Sequence, residues 1–424
     1  MIVDHYESFF GILKKICWTR SWQMMATWLG NMKDLPVWKP CAILVPPSLA
    51  FIYSISSAIF VSSWRECPWS QHLHTAVPRI SSLVAFVAAT VALTDDNNGV
   101  FAFLVTLSGS LSWYLMVQTR IHVIDGGPPP QLSTMKGQTV LITGANTGIG
   151  KETAHQLAEK GATVIMACRS LNKAEQAKND IVHRIQIQNT SFEPKIELLQ
   201  LDLSSLASVK KASQELKNRK LVVDVLILNA GVMMGKQSIT DDGYDLVMQA
   251  NHLGHYLLAR LMLENGVIAS ENSRILNVTS STYSYAEKID LEDLFCTKGR
   301  QYTLFGQYSQ SKLANILFTK ELNKRIPKVF SAAVHPGLVR TDVVRNMPWF
   351  LYYPNYIFSF VMCLLQKTPA QGAWCTTFLA ASPLKELESG AYWVNRQTQK
   401  LWPCANQGSE ELWNDSAKYV GLKP

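Results

Sequence analysis

Tyr308 and Lys312 stand four residues apart in Tyr308-Ser-Gln-Ser-Lys312. On a helix that spacing puts both side chains on one face. A phenol beside an ammonium can move a proton. The positive charge favours the phenolate and is expected to lower the tyrosine pKa. Tyr308 is read as general acid for carbonyl reduction and general base for alcohol oxidation, with Lys312 as its tuner. Far upstream runs Thr143-Gly144-Ala145-Asn146-Thr147-Gly148-Ile149-Gly150. It follows a short apolar strand, Gln138–Thr143, and precedes a helical pattern, Lys151–Lys160. Such a turn aims backbone N–H groups and a helix dipole at a pyrophosphate. Gly144 permits the sharp turn; Gly148 and Gly150 keep side chains away from phosphate and helix. The spacing is Gly-x3-Gly-x-Gly rather than the commoner Gly-x-Gly-x-x-Gly. Alone, the two motifs read as a tight turn and a surface helix pair. Together they supply the parts of a nicotinamide oxidoreductase.

The elements that must position these residues come in rhythm. Ala162–Cys168 reads as a second strand and ends at Arg169. At that point an acidic residue would hold a free ribose 2′-hydroxyl, whereas an arginine accepts a 2′-phosphate. NADP(H) is therefore favoured over NAD(H). Ile196–Leu201 ends at Asp202, a candidate for the adenine edge. Val222–Leu228 ends at Asn229-Ala230-Gly231, Arg274–Val278 at Thr279-Ser280-Ser281, and Val329–Val334 at His335-Pro336-Gly337. Helical patterns separate the strands. The expected fold class is α/β, a Rossmann-type doubly wound parallel sheet, preceded by an N-terminal α-helical membrane region. The chemistry-bearing residues fall at strand C-termini, where open α/β sheets bind ligands.

Residues 137–420 resemble the short-chain dehydrogenase/reductase family, classical type. The resemblance rests on Thr143–Gly150, Asn229–Gly231, Asn251, Ser280, Tyr308, Lys312 and Pro336-Gly337. Within it the chain looks most like the retinol-dehydrogenase-like branch. That likeness is carried by Asn251-His-Leu-Gly-His-Tyr256, Asp290-Leu-Glu-Asp-Leu294, His335-Pro-Gly-Leu-Val-Arg-Thr341 and Leu412-Trp-Asn-Asp-Ser416. It implies a catalytic set of Asn251, Ser280, Tyr308 and Lys312. Ser280 would hydrogen-bond the carbonyl oxygen as charge develops. Asn251 would hold a water that relays protons to Lys312, and Lys312 would also bind ribose. Cofactor contacts carry onto Gly144, Asn146, Thr147, Gly148, Ile149, Gly150, Arg169, Asp202, Leu203, Asn229, Ala230, Gly231, Tyr308, Lys312, Pro336, Gly337, Val339 and Thr341. Thr341 is placed like the family's contact to the nicotinamide carboxamide. The branch acts on lipophilic aldehydes, ketones and alcohols, often at membranes.

The segment Tyr283–Gln307 is longer than in the shortest family members and is read as a loop at the rim of the site. Ser281 adjoins Ser280, but register with Asn277 favours Ser280. The nine histidines show no metal-ligand spacing, so no metal is expected. His252 and His255 are expected to pack or to face a partner. The eight cysteines are scattered, which suits reduced thiols.

The rest of the chain differs. At 424 residues it is too long for one such domain. Residues 1–130 carry eight Lys or Arg against seven Asp or Glu, so the +8 net charge belongs almost wholly to the catalytic part. No basic run or aromatic-interleaved patch suggests nucleic acid. Pro40–Trp64 is charge-free for 25 residues, Ile80–Thr94 for 15 and Asn97–Thr119 for 23. A span needs about 20 apolar residues. The first and third are transmembrane candidates; the second is a shorter span or one arm of a hairpin. Residues 1–125 are thus expected to hold two or three spans, 126–136 to form a Gly/Pro linker, and 137–424 to form the catalytic domain. Tyr6–Trp28 is expected to lie at a headgroup surface. Lysines ahead of the first span favour a cytoplasmic N-terminus. The count of spans leaves the side of the catalytic domain open. Asn189-Thr-Ser and Asn414-Asp-Ser are glycosylation sequons.

Met347–Leu365 carries no charge and is expected to line an apolar pocket. The chain reads as an integral membrane oxidoreductase, expected in the endoplasmic reticulum, with membrane lipid beside it. Its substrate would be a lipophilic carbonyl or alcohol: retinoid, isoprenoid or long-chain. A homodimer through the Asp242–Leu263 helix is also considered. The alternative is a catalytically silent nucleotide-binding scaffold or redox sensor. A transporter is disfavoured, because the apolar runs hold no charge suited to a substrate path.

Overall fold

A computed structural model describes residue 127 and residues 129–188, 192–269, 271–340 and 366–424. The spans expected in Pro40–Trp64, Ile80–Thr94 and Asn97–Thr119 lie outside these residues. So do Tyr6–Trp28, the sequon Asn189, Thr341 and Met347–Leu365. Among the described residues no helix is long and apolar enough to cross a membrane.

The catalytic part is one eight-stranded sheet. Strand β1 (Thr139–Thr143) leads to helix α1 (Gly148–Glu159), β2 (Thr163–Cys168), α2 (Leu171–Gln188), β3 (Ile196–Gln200) and α3 (Leu206–Asn218). Then come β4 (Val225–Leu228), α4 (Gly254–Glu264), β5 (Arg274–Val278), α5 (Leu304–Arg325), β6 (Phe330–His335) and α6 (Pro369–Ala381). The chain ends with β7 (Tyr392–Val394), β8 (Gln397–Gln399) and α7 (Ser409–Val420). The strand order is β3-β2-β1-β4-β5-β6-β7-β8, parallel except for β8. The order reverses direction between β1 and β4. There the connections leave toward opposite faces of the sheet, the place where open α/β sheets bind ligands.

The expected Rossmann-type sheet is therefore present. The apolar runs build it because both faces are covered. Along β1, Leu141 points to one face, packing with Ile165, Leu226, Ile275 and helices α3, α4 and α5. Val140 and Ile142 point to the other, packing with Val164, Ile227, Leu276 and helices α1, α2 and α6. This is the period of two that a strand imposes. Strands β7 and β8 were not foreseen. Each is only three residues long, and the hairpin turn uses Asn395 and Arg396 at φ 51° and 65°. An Asn-Gly pair would have signalled such a turn; Asn-Arg does not.

The Asp242–Leu263 helix is divided. A helical turn, Leu246–Met248, passes into a π-turn, Gln249–Leu253, before α4 begins. Helix α7 covers α4 and α5. Its Trp413 lies between Arg260 and Arg325, with the guanidinium carbons 4.9 and 5.0 Å from the indole. Tyr256 donates its hydroxyl to the Trp413 carbonyl at 3.1 Å, and His252 Nε2 lies 2.8 Å from Ser416 Oγ. The face of α4 carrying Tyr256 is thus occupied by the chain's own C-terminal helix.

One close approach holds the active half together. A β-carbon on Gly254 would sit 2.6 Å from the Leu203 carbonyl oxygen. Alanine gains about 1 kcal/mol of helix propensity over glycine, but a backbone oxygen at that distance cannot move aside cheaply. Overpacking should win, and Gly254→Ala is expected to destabilise by roughly 1–3 kcal/mol. Urea unfolding of the full-length chain measures this; an unchanged or higher midpoint would contradict the close approach.

Candidate active site

The glycine loop is shaped by backbone, not side chains. Gly144 and Gly148 adopt φ 67° and 56°, in the left-handed region open to glycine. A β-carbon on Gly150 would lie 2.4 Å from the Gly144 carbonyl oxygen and 2.5 Å from Asn229 Nδ2. One on Gly144 would meet Ala230 at 3.0 Å. No larger residue fits without moving the loop. Thr147 opens α1 in an extended conformation without a side-chain cap, so the first-turn N–H groups face the C-terminal end of β1. Asn146 and Ile149 are half-buried beside it, and Thr147 is exposed.

The loop is tied to β4. The Thr143 hydroxyl accepts from the N–H groups of Asn229 and Ala230 at 2.9 and 3.0 Å. Asn229 Nδ2 donates back to the Thr143 carbonyl at 2.9 Å. Gly231 lies near Lys312 Nζ and Asn251 Oδ1. On the adenosine side Arg169 is exposed just beyond β2. Asp202 uses Oδ1 locally, accepting from the Ser204 N–H and hydroxyl at 2.9 and 2.6 Å. Leu203 packs into the core beneath Gly254.

The catalytic set assembles from three elements. Asn251 sits in the π-turn, fully buried. Its Oδ1 accepts from the Val232 N–H at 2.8 Å, and its Nδ2 donates to the Val232 carbonyl at 2.9 Å and to Ser311 Oγ at 3.0 Å. Ser311 in turn donates to the Tyr308 carbonyl at 2.7 Å. Ser280 follows β5 and hydrogen-bonds the Tyr308 side chain. Lys312 is 3% exposed, donates to the Val278 carbonyl at 3.0 Å, and stands 5.6 Å from the Tyr308 ring centre. Helix α5 is fastened to β5 by Thr279 Oγ1 donating to the Lys312 carbonyl and Asn277 Nδ2 to the Asn315 carbonyl, at 2.9 and 3.0 Å. The four expected catalytic residues are thus brought together.

The electrostatics depart from expectation in one respect. Burial pushes Tyr308 up to about 12, and the Ser280 hydrogen bond only partly opposes it. The expected lowering by Lys312 is not found. The ammonium is turned to the Val278 carbonyl, and desolvation of a phenolate outweighs it. Tyr308 therefore stands protonated, the form a general acid needs. Burial also pulls Lys312 down to about 8.

Beyond β6, Gly337 has φ 91° and lies against the Lys367 side chain. Pro336 before it is buried. Val339 pairs with Lys367 as an isolated bridge. Gly372 on α6 allows Val339 and Ile149 to close in: a β-carbon there would lie 2.7 and 3.2 Å from their methyl carbons. Among the described residues no group of three or more His, Cys, Asp or Glu converges as a metal site. A surface hollow of about 520 Å³ is lined by Arg260, Arg325 and Trp413, away from these residues.

Sequence reasoning missed Thr279, Ser311 and the hydroxyl role of Thr143. It left His255 as a residue that packs or faces a partner. Ser311 lies inside the Tyr308–Lys312 motif, and its position on the same helix was the available signal.

The fold and this constellation define a class that comparison with known proteins identifies. The model of the family described as short chain dehydrogenase matches residues 138–289. Retinol dehydrogenase 13 of Mus musculus is 37% identical over 304 residues, covering 70% of this chain and 88% of that protein. Retinol dehydrogenase 14 of Homo sapiens is 39% identical over 339 residues, covering 76% and 97%. A crystal structure of an uncharacterized protein from Mycobacterium Paratuberculosis superimposes with a TM-score of 0.54 at 30% identity, covering 69% of this chain and 97% of that one. The chain belongs to the short-chain dehydrogenase/reductase family, in its retinol-dehydrogenase-like branch.

The buried ammonium makes a prediction. If charged Lys312 serves the reaction, carbonyl reduction should decline as pH rises through about 8, where Lys312 loses its proton. A pH profile of kcat checks this; a flat profile to pH ~10, the ordinary lysine range, would contradict it.

Proposed function

We propose that this chain is a membrane-anchored oxidoreductase that transfers hydride between NADP(H) and a lipophilic carbonyl/alcohol pair. Retinoids come first among the substrates, followed by isoprenoid and long-chain aldehydes and ketones. The observation that carries the reading is the meeting of Ser280, Tyr308 and Lys312 at the C-terminal edge of the sheet. Its relatives' names support retinoids as the first substrates to try.

The residues present fit a dinucleotide. The left-handed glycines Gly144 and Gly148, and the first turn of α1, which carries no side-chain cap, would present backbone N–H groups to a pyrophosphate over Gly144–Gly150. Arg169 would hold the 2′-phosphate. Asp202, Leu203, Asn229, Ala230 and Gly231 would flank the adenosine half. Tyr308 and Lys312 would reach the nicotinamide ribose, and Pro336, Gly337, Val339 and Thr341 would border the nicotinamide. When bound, the cofactor supplies or accepts the hydride.

The chain's own residues handle the proton. In reduction, Tyr308 donates its hydroxyl proton to the carbonyl oxygen as the carbonyl carbon gains hydride. Ser280 donates a hydrogen bond to the same oxygen as negative charge develops there. Lys312 then favours the transient phenolate, and Asn251 holds the path by which it is reprotonated. In oxidation the proton runs the other way. Residues 1–125 would anchor the enzyme, expected in the endoplasmic reticulum, and concentrate it beside a lipid substrate. Met347–Leu365 would contribute apolar surface to the substrate site.

NADPH oxidation by membranes carrying the full-length chain tests the reading against a panel of retinoid, isoprenoid and long-chain aldehydes. Tyr308→Phe is expected to lower kcat by about 10²–10⁴, the usual worth of a positioned acid. NADPH binding without any activity beyond that of the variant would point to the nucleotide-binding scaffold instead. Arg169→Asp should shift preference from NADPH toward NADH; an unchanged ratio would refute the role of Arg169.

A further inference from the structure

A sealed polar chain runs from the nucleotide loop to the π-turn that carries Asn251, and the chemistry above does not use its middle. Thr143, Asn251 and His255 are 0%, 0% and 1% exposed. His255 Nε2 lies 2.9 Å from Thr143 Oγ1, and Nδ1 lies 3.0 Å from the Asn251 carbonyl oxygen. The partners fix the tautomer. A carbonyl can only accept, so Nδ1 carries the proton. The Thr143 hydroxyl already accepts from the Asn229 and Ala230 N–H groups. Its own proton can go to His255 Nε2 at 2.9 Å or to the Ile227 carbonyl at 3.5 Å, and the shorter contact is the better hydrogen bond. Nε2 is then an acceptor and the ring is neutral. Burial favours the same form and pulls His255 down to about 3, with Lys312 acting in the same direction.

The location gives this chain its significance. Asn251 sits in a π-turn, where carbonyls leave the ordinary helical register. The His255 side chain reaches back four residues and takes one lone pair of the Asn251 carbonyl. At its other end it fixes the hydroxyl that holds the end of β4.

We propose that His255 is a positioning residue that locks the nucleotide floor at Thr143, Asn229 and Ala230 to the Asn251 carbonyl in the π-turn ahead of α4. This rests on the oxidoreductase reading for its effect on rate. Its effect on nucleotide binding stands separately. The two ring nitrogens serve two functions, so they can be separated. Asparagine reproduces a donor near the Nδ1 position, and glutamine an acceptor near Nε2.

The experiment uses the full-length chain, measuring NADPH Kd by fluorescence and kcat for carbonyl reduction. His255→Phe should weaken NADPH binding and lower kcat, each about tenfold, as expected for one lost buried hydrogen bond apiece. His255→Asn should recover kcat but not NADPH affinity. His255→Gln should recover NADPH affinity but not kcat. Thr143→Val combined with His255→Phe should bind NADPH no worse than Thr143→Val alone, within about twofold, because the two changes cut one link. Wild-type values for His255→Phe would overturn the proposal. So would equal behaviour of the Asn and Gln variants, or losses that simply track a lowered melting temperature. If the parent shows no reduction beyond Tyr308→Phe, the oxidoreductase reading fails. The NADPH arm then still decides the link through Thr143.

Discussion

Backbone meets backbone where the glycine loop after β1 enters α1, and the rest of the site is arranged around that contact. A single methyl group on Gly150 would fall 2.4 Å from the Gly144 carbonyl oxygen and 2.5 Å from the Asn229 amide. Loop and helix therefore close on one another backbone to backbone, with the Asn229 side-chain amide set against them. The contact is held by polar bonds rather than by apolar packing. Thr143 receives two N–H groups from β4, and Asn229 returns one bond. Each such bond contributes only about 1 kcal/mol, but leaving a buried partner unmatched costs about 1–3 kcal/mol. The arrangement is consequently specific rather than merely stable.

The same rule governs the catalytic side. Lys312 is a nearly sealed cation, held in place by the Val278 carbonyl. Burial costs it proton affinity, and burial costs Tyr308 its phenolate. The two effects leave an acid that keeps its proton at neutral pH, beside an ammonium close to titration. A hydroxyl on Ser280 and an amide on Asn251 complete the set, each fixed by its own partners. Rigidity of this kind matters more to an acid–base site than to a docking surface, because small displacements are costly to reaction rates.

Much of this was legible in the chain. Six parallel strands could be read from apolar runs such as Thr139–Thr143 and Arg274–Val278, because a sheet covered on both faces demands them. The glycine loop and the Tyr308–Lys312 pair were legible because their spacing is dictated by backbone geometry. What escaped was set by tertiary contact. Strands β7 and β8 are too short to show a period. The setting of the Asn251 side chain depends on Val232 and Ser311, far apart in sequence. His255 looks like any helical histidine until Thr143 and Asn251 are placed around it. The direction of the Tyr308 shift also failed to follow from spacing, since proximity to Lys312 says nothing about desolvation. The apolar N-terminal runs and Met347–Leu365 lie outside the described residues, and the proposals of anchoring and an apolar substrate surface are read from their sequence.

The most direct test follows the hydride itself. Membranes carrying the full-length chain are supplied with NADPH deuterated at the transferable position and with a retinoid aldehyde, and the alcohol is analysed by mass spectrometry. The account predicts one deuterium on the carbinol carbon, formed about 10²–10⁴ times more slowly with Tyr308→Phe. Bound NADPH with no deuterium in the alcohol from any lipophilic aldehyde or ketone would contradict it.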